Sequence, residues 1–214
     1  MRQADAALRV CCLGPAGEGA PGVPRFAFDG DPSEIGSLAG IVLVRKAETR
    51  AKELLQAGAS KVFIGAAALK DPSLIGRLAA EFGTGRIGLY ATAARMEVSW
   101  ALDTVCNADF RFMMPSRCEP CLEILDATGS RTGTELGGWI AEMAKLGASS
   151  VLLCADARDG SDLNLVAGLA EQYGERLWIG PLEDAEPPLA DWIEHAGVRQ
   201  LALPHALLER VHAA

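Results

Sequence analysis

The sequence lacks any long run of apolar residues, although 50% of its 214 residues are apolar. A helix that spans a bilayer requires about 20 consecutive apolar residues, so we expect no membrane partner. The first residues contain only a brief apolar patch, which is too short for a signal peptide. These absences predict a soluble protein that stays in the cytoplasm.

Basic residues are in the minority. The chain has 20 Lys and Arg residues against 28 Asp and Glu residues, which gives a formal net charge of −8. Aromatic residues make up 6% of the chain, and no segment interleaves them with basic residues. Because an acidic protein repels phosphate backbones and anionic lipids, we expect neither a nucleic-acid partner nor a membrane-surface partner.

Cysteine is sparse, and its arrangement offers only a weak candidate for a metal site. Without an export signal, the six cysteines are expected to be reduced thiols. Cys118 and Cys121 form a C-x-x-C pair, a spacing that suits zinc or a redox couple. No second C-x-x-C and no H-x-x-x-H accompanies the pair, and unlinked cysteines are the commoner outcome. We therefore predict no cofactor and keep Cys118 and Cys121 as weak metal candidates.

The sequence does contain a regular alternation of short apolar stretches with amphipathic ones. Seven stretches are predicted as buried strands, at 8–13, 40–44, 61–65, 86–92, 151–154, 177–180 and 200–203. Helical patterns separate them, at 48–57, 71–82, 134–146, 163–173 and 189–196, with further helix starts at Asp31 and His205. This alternation predicts a parallel sheet covered by helices. An open doubly wound sheet and a closed barrel both fit, but no G-x-G-x-x-G follows the first strand, so dinucleotide binding lacks support.

The alternation breaks at residues 93–133, which are rich in Cys, Met, Pro and Asn. Within this segment, 122–125 is a candidate strand and 126–129 a candidate turn. We interpret 93–133 as an insertion over the end of a strand, in a single domain that spans residues 1–214. The segment mixes apolar anchors with polar residues, a composition that suits a lid over a pocket or a surface for a protein partner.

Two helix–strand units resemble a known family. GASKVFIGAAALKDPSLIGRLAAEFG at 58–83 and TGTELGGWIAEMAKLGASSVLLCADARDGS at 132–161 resemble the fourth and sixth units of the histidine-biosynthesis phosphosugar barrels. Cys12 and Trp139 resemble the cyclase subunit of imidazole-glycerol-phosphate synthase, whereas 64–67 resembles the phosphoribosylformimino isomerase. The resemblance implies an α/β fold, a TIM-type (β/α) barrel with its site at the carboxyl ends of the strands. Since the chain is short for this family, we expect a barrel shortened by about one βα unit, with seven or eight strands and the insertion after the fifth.

The residues that the resemblance aligns with the family's acids are not acidic here. Gly14, Thr92 and Ala155 occupy the positions of carboxylates that perform acid–base chemistry in the family. A Gly, Thr or Ala side chain does not titrate near neutral pH, so that chemistry is expected to be lost.

The phosphate-binding glycine turns of the family are also replaced. Arg45 and Lys46 stand after one strand, Leu182 and Glu183 after another, and Pro204 after the last. Glycine turns bind phosphate through backbone N–H groups, and proline has none. Arg45 and Lys46 are candidates for supplying positive charge instead, with an exposed helix start as the alternative.

The candidate site residues follow from strand ends and from the resemblance. The catalytic candidates are Asp156, Asp159, Thr92 and His205. The substrate- or anion-binding candidates are Arg45, Lys46, Gly65, Ala66, Arg158, Gly160 and Ser161. For Asp159 and Ser161 the alternative is an ordinary helix cap.

The first hypothesis for function is a diverged barrel that binds a small phosphorylated or anionic metabolite, without the family's isomerase or cyclase reaction and recruited to another pathway of cofactor or one-carbon metabolism. If it is an enzyme, it is a lyase or isomerase acting on a phosphosugar-like substrate. One alternative is a non-catalytic binding or regulatory subunit that uses 93–133 as its interface. Another is retained histidine-biosynthesis activity.

Overall fold

A computed structural model describes residues 7–15, 22–44, 47–96, 100–101, 114–115, 120–157, 159–182 and 186–211. In chain order, the strands are β1 (Arg9–Pro15), β2 (Arg25–Phe28), β3 (Leu38–Leu43), β4 (Val62–Ile64), β5 (Ile87–Met96), β6 (Trp100–Ala101), β7 (Met114–Pro115), β8 (Cys121–Leu125), β9 (Arg131–Glu135), β10 (Ser150–Ala155), β11 (Leu177–Gly180) and β12 (Gln200–Leu203). The α-helices are α1 (Ala47–Gln56), α2 (Ala66–Lys70), α3 (Ser73–Phe82), α4 (Leu136–Lys145), α5 (Gly160–Tyr173), α6 (Leu189–Glu194) and α7 (His205–Val211). None of the described helices has the length and apolar character that a membrane span requires.

Eight of these strands close into a parallel barrel. The order is β1, β2, β3, β4, β5, β10, β11 and β12, and β12 returns to pair with β1. In the contact between β5 and β10, Ser150 pairs with Gly88 at one end and Ala155 with Ala93 at the other. The structure therefore confirms the TIM-type (β/α) barrel and excludes the open doubly wound sheet.

The barrel is complete in strands and reduced in its connections. The sequence indicated seven strands, and the eighth is β2, which pairs with both β1 and β3. Asp31 accepts a hydrogen bond from the Ser33 amide and starts a 3-10 segment, Pro32–Ser37, where an α-helix was expected. Between β2 and β3 this segment replaces the usual helix. The shortening by about one βα unit is thus a loss of helix rather than of strand.

Aromatic side chains fill the barrel interior. The Phe26 ring contacts Phe63 and Trp178 edge to face, with centroids 5.2 and 5.1 Å apart. Phe63 fits only because its neighbours on two adjacent strands are glycines: a Cβ at Gly40 or Gly88 would approach its ring to 2.6 Å. The interior is therefore a packed core, as in other barrels of this type.

The helices cover the outside of the barrel with apolar stripes. In α4 the buried residues are Leu136, Trp139, Ile140 and Met143, at the spacing that the sequence predicts for one helix face. Glu135 is the N-cap of this helix, and its carboxylate accepts hydrogen bonds from the amides of Gly137 and Gly138 at 2.7 and 2.6 Å.

The described part of the insertion extends the barrel sheet beyond its rim. β5 is long, and its end pairs with β8 in antiparallel fashion, from Thr92 opposite Leu125 to Met96 opposite Cys121. β8 in turn pairs with β9, so the two strands form a hairpin with its turn at 126–129. The strand expected at 122–125 and the turn after it are confirmed.

Candidate binding site at the barrel mouth

Two adjoining cavities open at the carboxyl ends of the barrel strands, and together we call them the mouth. The hairpin cavity, of about 290 Å³, is lined by Leu43, Val44, Gly65, Ala66, Leu69, Tyr90, Ala91, Thr92, Ile124, Leu125, Asp126, Ala127, Gly129 and Leu182. The central cavity, of about 700 Å³, is lined by Leu13, Gly14, Pro15, Phe28, Tyr90, Cys154, Pro181, Leu182, Pro204, His205, Ala206 and Leu207. Tyr90 and Leu182 line both cavities and so form their common wall. The volumes lie near those of small-molecule sites, roughly 300–1,000 Å³.

Tyr90 and Cys154 form the polar group at the base of the mouth. The two side chains are hydrogen-bonded to each other, and the Tyr90 ring meets Phe28 edge to face at 5.7 Å. Burial raises the pKa of the Cys154 thiol from 9.0 to about 12. Burial, together with the neighbouring Cys154, raises the pKa of Tyr90 well above its usual 10.0. Both groups are therefore uncharged at neutral pH, so they offer hydrogen bonds rather than a nucleophile or a charge.

Four of the residues nominated from the sequence reach the mouth. Gly65, Ala66 and Thr92 line the hairpin cavity, and His205, exposed at the start of α7, lines the central cavity. The Thr92 hydroxyl donates to the Leu125 carbonyl at 3.3 Å, which ties β5 to the hairpin. A Cβ at Gly65 would lie 3.1 Å from the Tyr90 carbonyl oxygen, so glycine at this position lets the two chain segments approach.

Two carboxylates nominated as catalytic have structural partners. Asp159 is the N-cap of α5: it accepts from the amides of Ser161 and Asp162 at 2.9 Å. Its other partner is Arg95, with a shortest N–O distance of 2.8 Å. These amide hydrogen bonds and the Arg95 guanidinium lower the pKa of Asp159. Asp156 accepts from the Leu182 amide at 3.2 Å and so joins the end of β10 to the segment after β11.

The remaining nominated residues are not among the described residues that line the two cavities. Gly160 and Ser161 start α5 and are absent from the described linings of both cavities. Arg45, Lys46, Arg158 and Cys118 lie outside the described residues, whereas Cys121 begins β8. The part of the chain that the structure describes holds no group of three or more His, Cys, Asp or Glu residues able to bind a metal ion.

Asp126 is the carboxylate that lines the mouth among the described residues. Its Oδ1 accepts from the Thr128 hydroxyl at 2.6 Å, the Thr128 amide at 2.8 Å and the Ser130 amide at 2.9 Å. The Thr128 hydroxyl bond, followed by these amide bonds, lowers the pKa of Asp126. A carboxylate used in this way holds the hairpin turn and is a poor acid or base.

Sequence reasoning missed several mouth residues, including Tyr90 and Phe28, and it named Leu182 only as a replacement in a phosphate-binding turn. A signal for Tyr90 was present, since it lies two residues before Thr92 in a strand and must point to the same face of the sheet. Cys154 is the last residue of the strand predicted at 151–154, and it lines the central cavity. Phe28 gave no usable signal because its strand was not recognised.

Comparison with known proteins places the chain in a family. A family model described as "Histidine biosynthesis protein" matches residues 44–178. Relatives include three proteins named imidazole glycerol phosphate synthase subunit HisF. The protein from Thermosynechococcus vestitus is 32% identical over 129 residues, which cover 58% of this chain and 40% of the relative. Those from Methanosphaerula palustris and Dehalococcoides mccartyi are 31% identical over 126 residues and 30% identical over 127 residues.

These two matches cover 56% and 59% of this chain, and 44% and 42% of the relatives. The chain therefore spans less than half the length of the curated relatives that it matches. The family model covers more than half of the chain, from the end of β3 to the start of β11. It includes both units in which the sequence resemblance was found. The chain belongs to the histidine biosynthesis protein family.

Proposed function

We propose that this chain is a diverged histidine-biosynthesis barrel that binds a small anionic metabolite in the hairpin cavity and does not perform acid–base catalysis on it. The observation that carries the proposal is the state of the mouth carboxylate. Asp126 is the acid among the described lining residues, and its Oδ1 already accepts three hydrogen bonds. Catalysis on a phosphosugar by proton transfer needs a carboxylate or imidazole positioned on the substrate. The described lining of this cavity contains no imidazole, and its carboxylate, Asp126, holds the hairpin turn through Oδ1.

Charge around the hairpin cavity supports an anionic ligand. Arg45 and Lys46 directly follow Val44 in sequence, and Val44 lines this cavity. Lys70, at the end of α2, lies close enough to Asp126 to contribute to lowering its pKa. The residues available to contact a phosphate or carboxylate group here include Gly65, Ala66 and Thr92.

Complementation and binding test this function separately. We expect the gene to fail to rescue histidine auxotrophs that lack the isomerase or the cyclase, and rescue of either strain would contradict the loss of catalysis. We expect ribose 5-phosphate to raise the melting temperature in a concentration-dependent manner, because a ligand that binds only the folded state stabilises it. Absence of any shift with ribose 5-phosphate or inorganic phosphate would contradict the anion site.

A partner-binding role is the second proposal, and the names of the relatives favour it, since each is called a subunit. In this proposal residues 93–133 contact the partner; β9 of this segment is an end strand of the described sheet. Replacing 102–113 with a Gly–Ser linker should then remove a stoichiometric partner seen by native mass spectrometry. An unchanged complex would contradict this use of the segment. We also propose a cytoplasmic location, which cell fractionation would check.

A further inference from the structure

The central cavity differs in chemistry from the hairpin cavity. Three of its lining residues, Pro15, Pro181 and Pro204, follow or end the strands β1, β11 and β12. A glycine turn at a strand end binds phosphate through backbone N–H groups, and proline has no N–H to offer. These three strand ends therefore lack the donors that an anion would need at those positions.

The rest of the described lining is apolar or uncharged. Leu13, Phe28, Leu182 and Leu207 supply side-chain surface, and Tyr90 and Cys154 are held in their neutral forms by burial. His205 is the one described lining residue with an imidazole side chain, and it is exposed at the start of α7. A phosphate dianion placed on this surface would exchange its hydration for the two neutral side-chain donors of Tyr90 and Cys154, without a basic side chain among the described lining residues other than exposed His205.

The sequence around the cavity does not restore positive charge. Residues 16–21, which follow Pro15, contain Glu18 and no basic residue. Residues 183–185, which follow Leu182 of the common wall, contain Glu183 and Asp184 and again no basic residue. By contrast, Arg45 and Lys46 directly follow Val44, which lines the hairpin cavity alone. Basic residues therefore directly follow a residue of the hairpin cavity, whereas none occurs in 16–21 or 183–185.

We infer that the central cavity binds an uncharged, largely apolar group, of the size and shape of a mono- or bicyclic aromatic ring, with the Tyr90 hydroxyl and Cys154 thiol as its hydrogen-bonding partners. The Phe28–Tyr90 pair provides aromatic edges and faces for such a ring. The inference deepens the proposed function, because a metabolite that carries both an anionic group and a ring would occupy both cavities across Tyr90 and Leu182.

Two matched variants test the inference with two probes, indole for the central cavity and ribose 5-phosphate for the hairpin cavity. Ala206 is exposed on α7 and lines only the central cavity; Ala66 is partly exposed on α2 and lines only the hairpin cavity. Trp at either position fills its own cavity from the rim. In A206W we expect indole binding to weaken by at least about tenfold and ribose 5-phosphate binding to stay unchanged, with the reverse pattern in A66W. Circular dichroism and thermal melts check that both variants are folded.

The outcomes separate the two proposals. Saturable indole binding that is lost in A206W and kept in A66W supports the apolar site. Ribose 5-phosphate binding without indole binding, or indole binding that A206W leaves unchanged, overturns the inference and leaves the proposed function standing. Indole binding with no binding of ribose 5-phosphate overturns the anion site alone. Binding of neither probe overturns both.

Discussion

The two cavities of the mouth come from different parts of the chain. Apart from Leu43 and Leu182, the hairpin cavity is lined by residues within 44–178, the segment that matches the family. Apart from Tyr90 and Cys154, the central cavity is lined by residues outside that segment. The matched segment carries regular strand–helix units, whereas the connection between β2 and β3, which lies before it, contains only a 3-10 segment. The family scaffold thus provides one wall of the mouth, and the segments that flank it shape the other.

In our proposal, this difference allows the barrel to take a different ligand while keeping its fold. Strand residues that pack inside the barrel constrain one another through Phe26, Phe63 and Trp178. Residues just beyond the strand ends are free of that constraint, so prolines can replace phosphate-binding turns without disturbing the core. We propose that replacement of this kind produced the apolar central cavity.

The largest expected effect comes from the packed barrel interior. Phe63 is fully buried among the interior side chains, and Phe63→Ala should lower the free energy of unfolding by about 3–5 kcal/mol, through lost burial and an unfilled cavity. Phe63→Leu, which keeps much of the volume, should cost clearly less. Urea unfolding measures both, and a loss below about 1 kcal/mol for Phe63→Ala would show that the interior is not packed as described.

A smaller effect tests the burial of the Cys154 thiol at the central cavity through the pH dependence of stability. The pKa of Cys154 is raised from 9.0 to about 12 in the folded state, so the stability this thiol contributes is complete below about pH 9 and is lost as pH rises towards 12. Between about pH 8 and about pH 10, Cys154→Ala should lose about 1 kcal/mol less stability than the unsubstituted chain.

Urea titrations at several pH values across that range make the comparison. Cys11 lies in the barrel interior, and burial also raises its pKa to about 12, so Cys11→Ala should flatten the pH dependence in the same way. Equal slopes for the Cys154→Ala variant and the unsubstituted chain would mean that the thiol is not buried at the base of the mouth.

The smallest expected effect concerns the shared wall. Tyr90→Phe keeps the ring and removes the hydroxyl, so indole binding in the central cavity should weaken by roughly threefold, the worth of one ordinary hydrogen bond. Tyr173, the other tyrosine of the chain, lies on α5 away from the mouth, and Tyr173→Phe is the matched control. Calorimetric titration compares the indole affinities of the two variants. Equal losses of affinity would show that the Tyr90 hydroxyl does not bind indole.

Much of the fold could be predicted because local patterns agreed with it. The strands at 177–180 and 200–203 and the helical stripe of α4 follow directly from apolar runs and spacing. β2 was missed because its four residues sit in a stretch rich in glycine and proline, and only pairing with β1 and β3 makes them a strand. Asp31 and Pro32 do begin a helical segment as predicted, but that segment is the 3-10 helix Pro32–Ser37 and not an α-helix.

The candidate site was harder to predict, because it depends on contacts between residues that are distant in sequence. In the sequence, Asp159 fits both a helix cap and a catalytic residue. The structure shows that it caps α5, since it accepts hydrogen bonds from two amides and pairs with Arg95. Thr92 was nominated because it aligns with a family acid. Tyr90 was overlooked, although it lies two residues earlier in the same strand and its side chain therefore faces the same side of the sheet. The turn at 126–129 lines the hairpin cavity because β8 pairs with the end of β5. The local spacing of residues does not predict this pairing.

The central claim is that the mouth has two cavities of different chemistry, and simultaneous binding tests it most directly. Ribose 5-phosphate is titrated calorimetrically into protein alone and into protein saturated with indole. The account predicts that both titrations saturate with dissociation constants within about twofold of each other, because the probes occupy separate cavities. Competition, in which saturating indole abolishes the binding of ribose 5-phosphate, would contradict it.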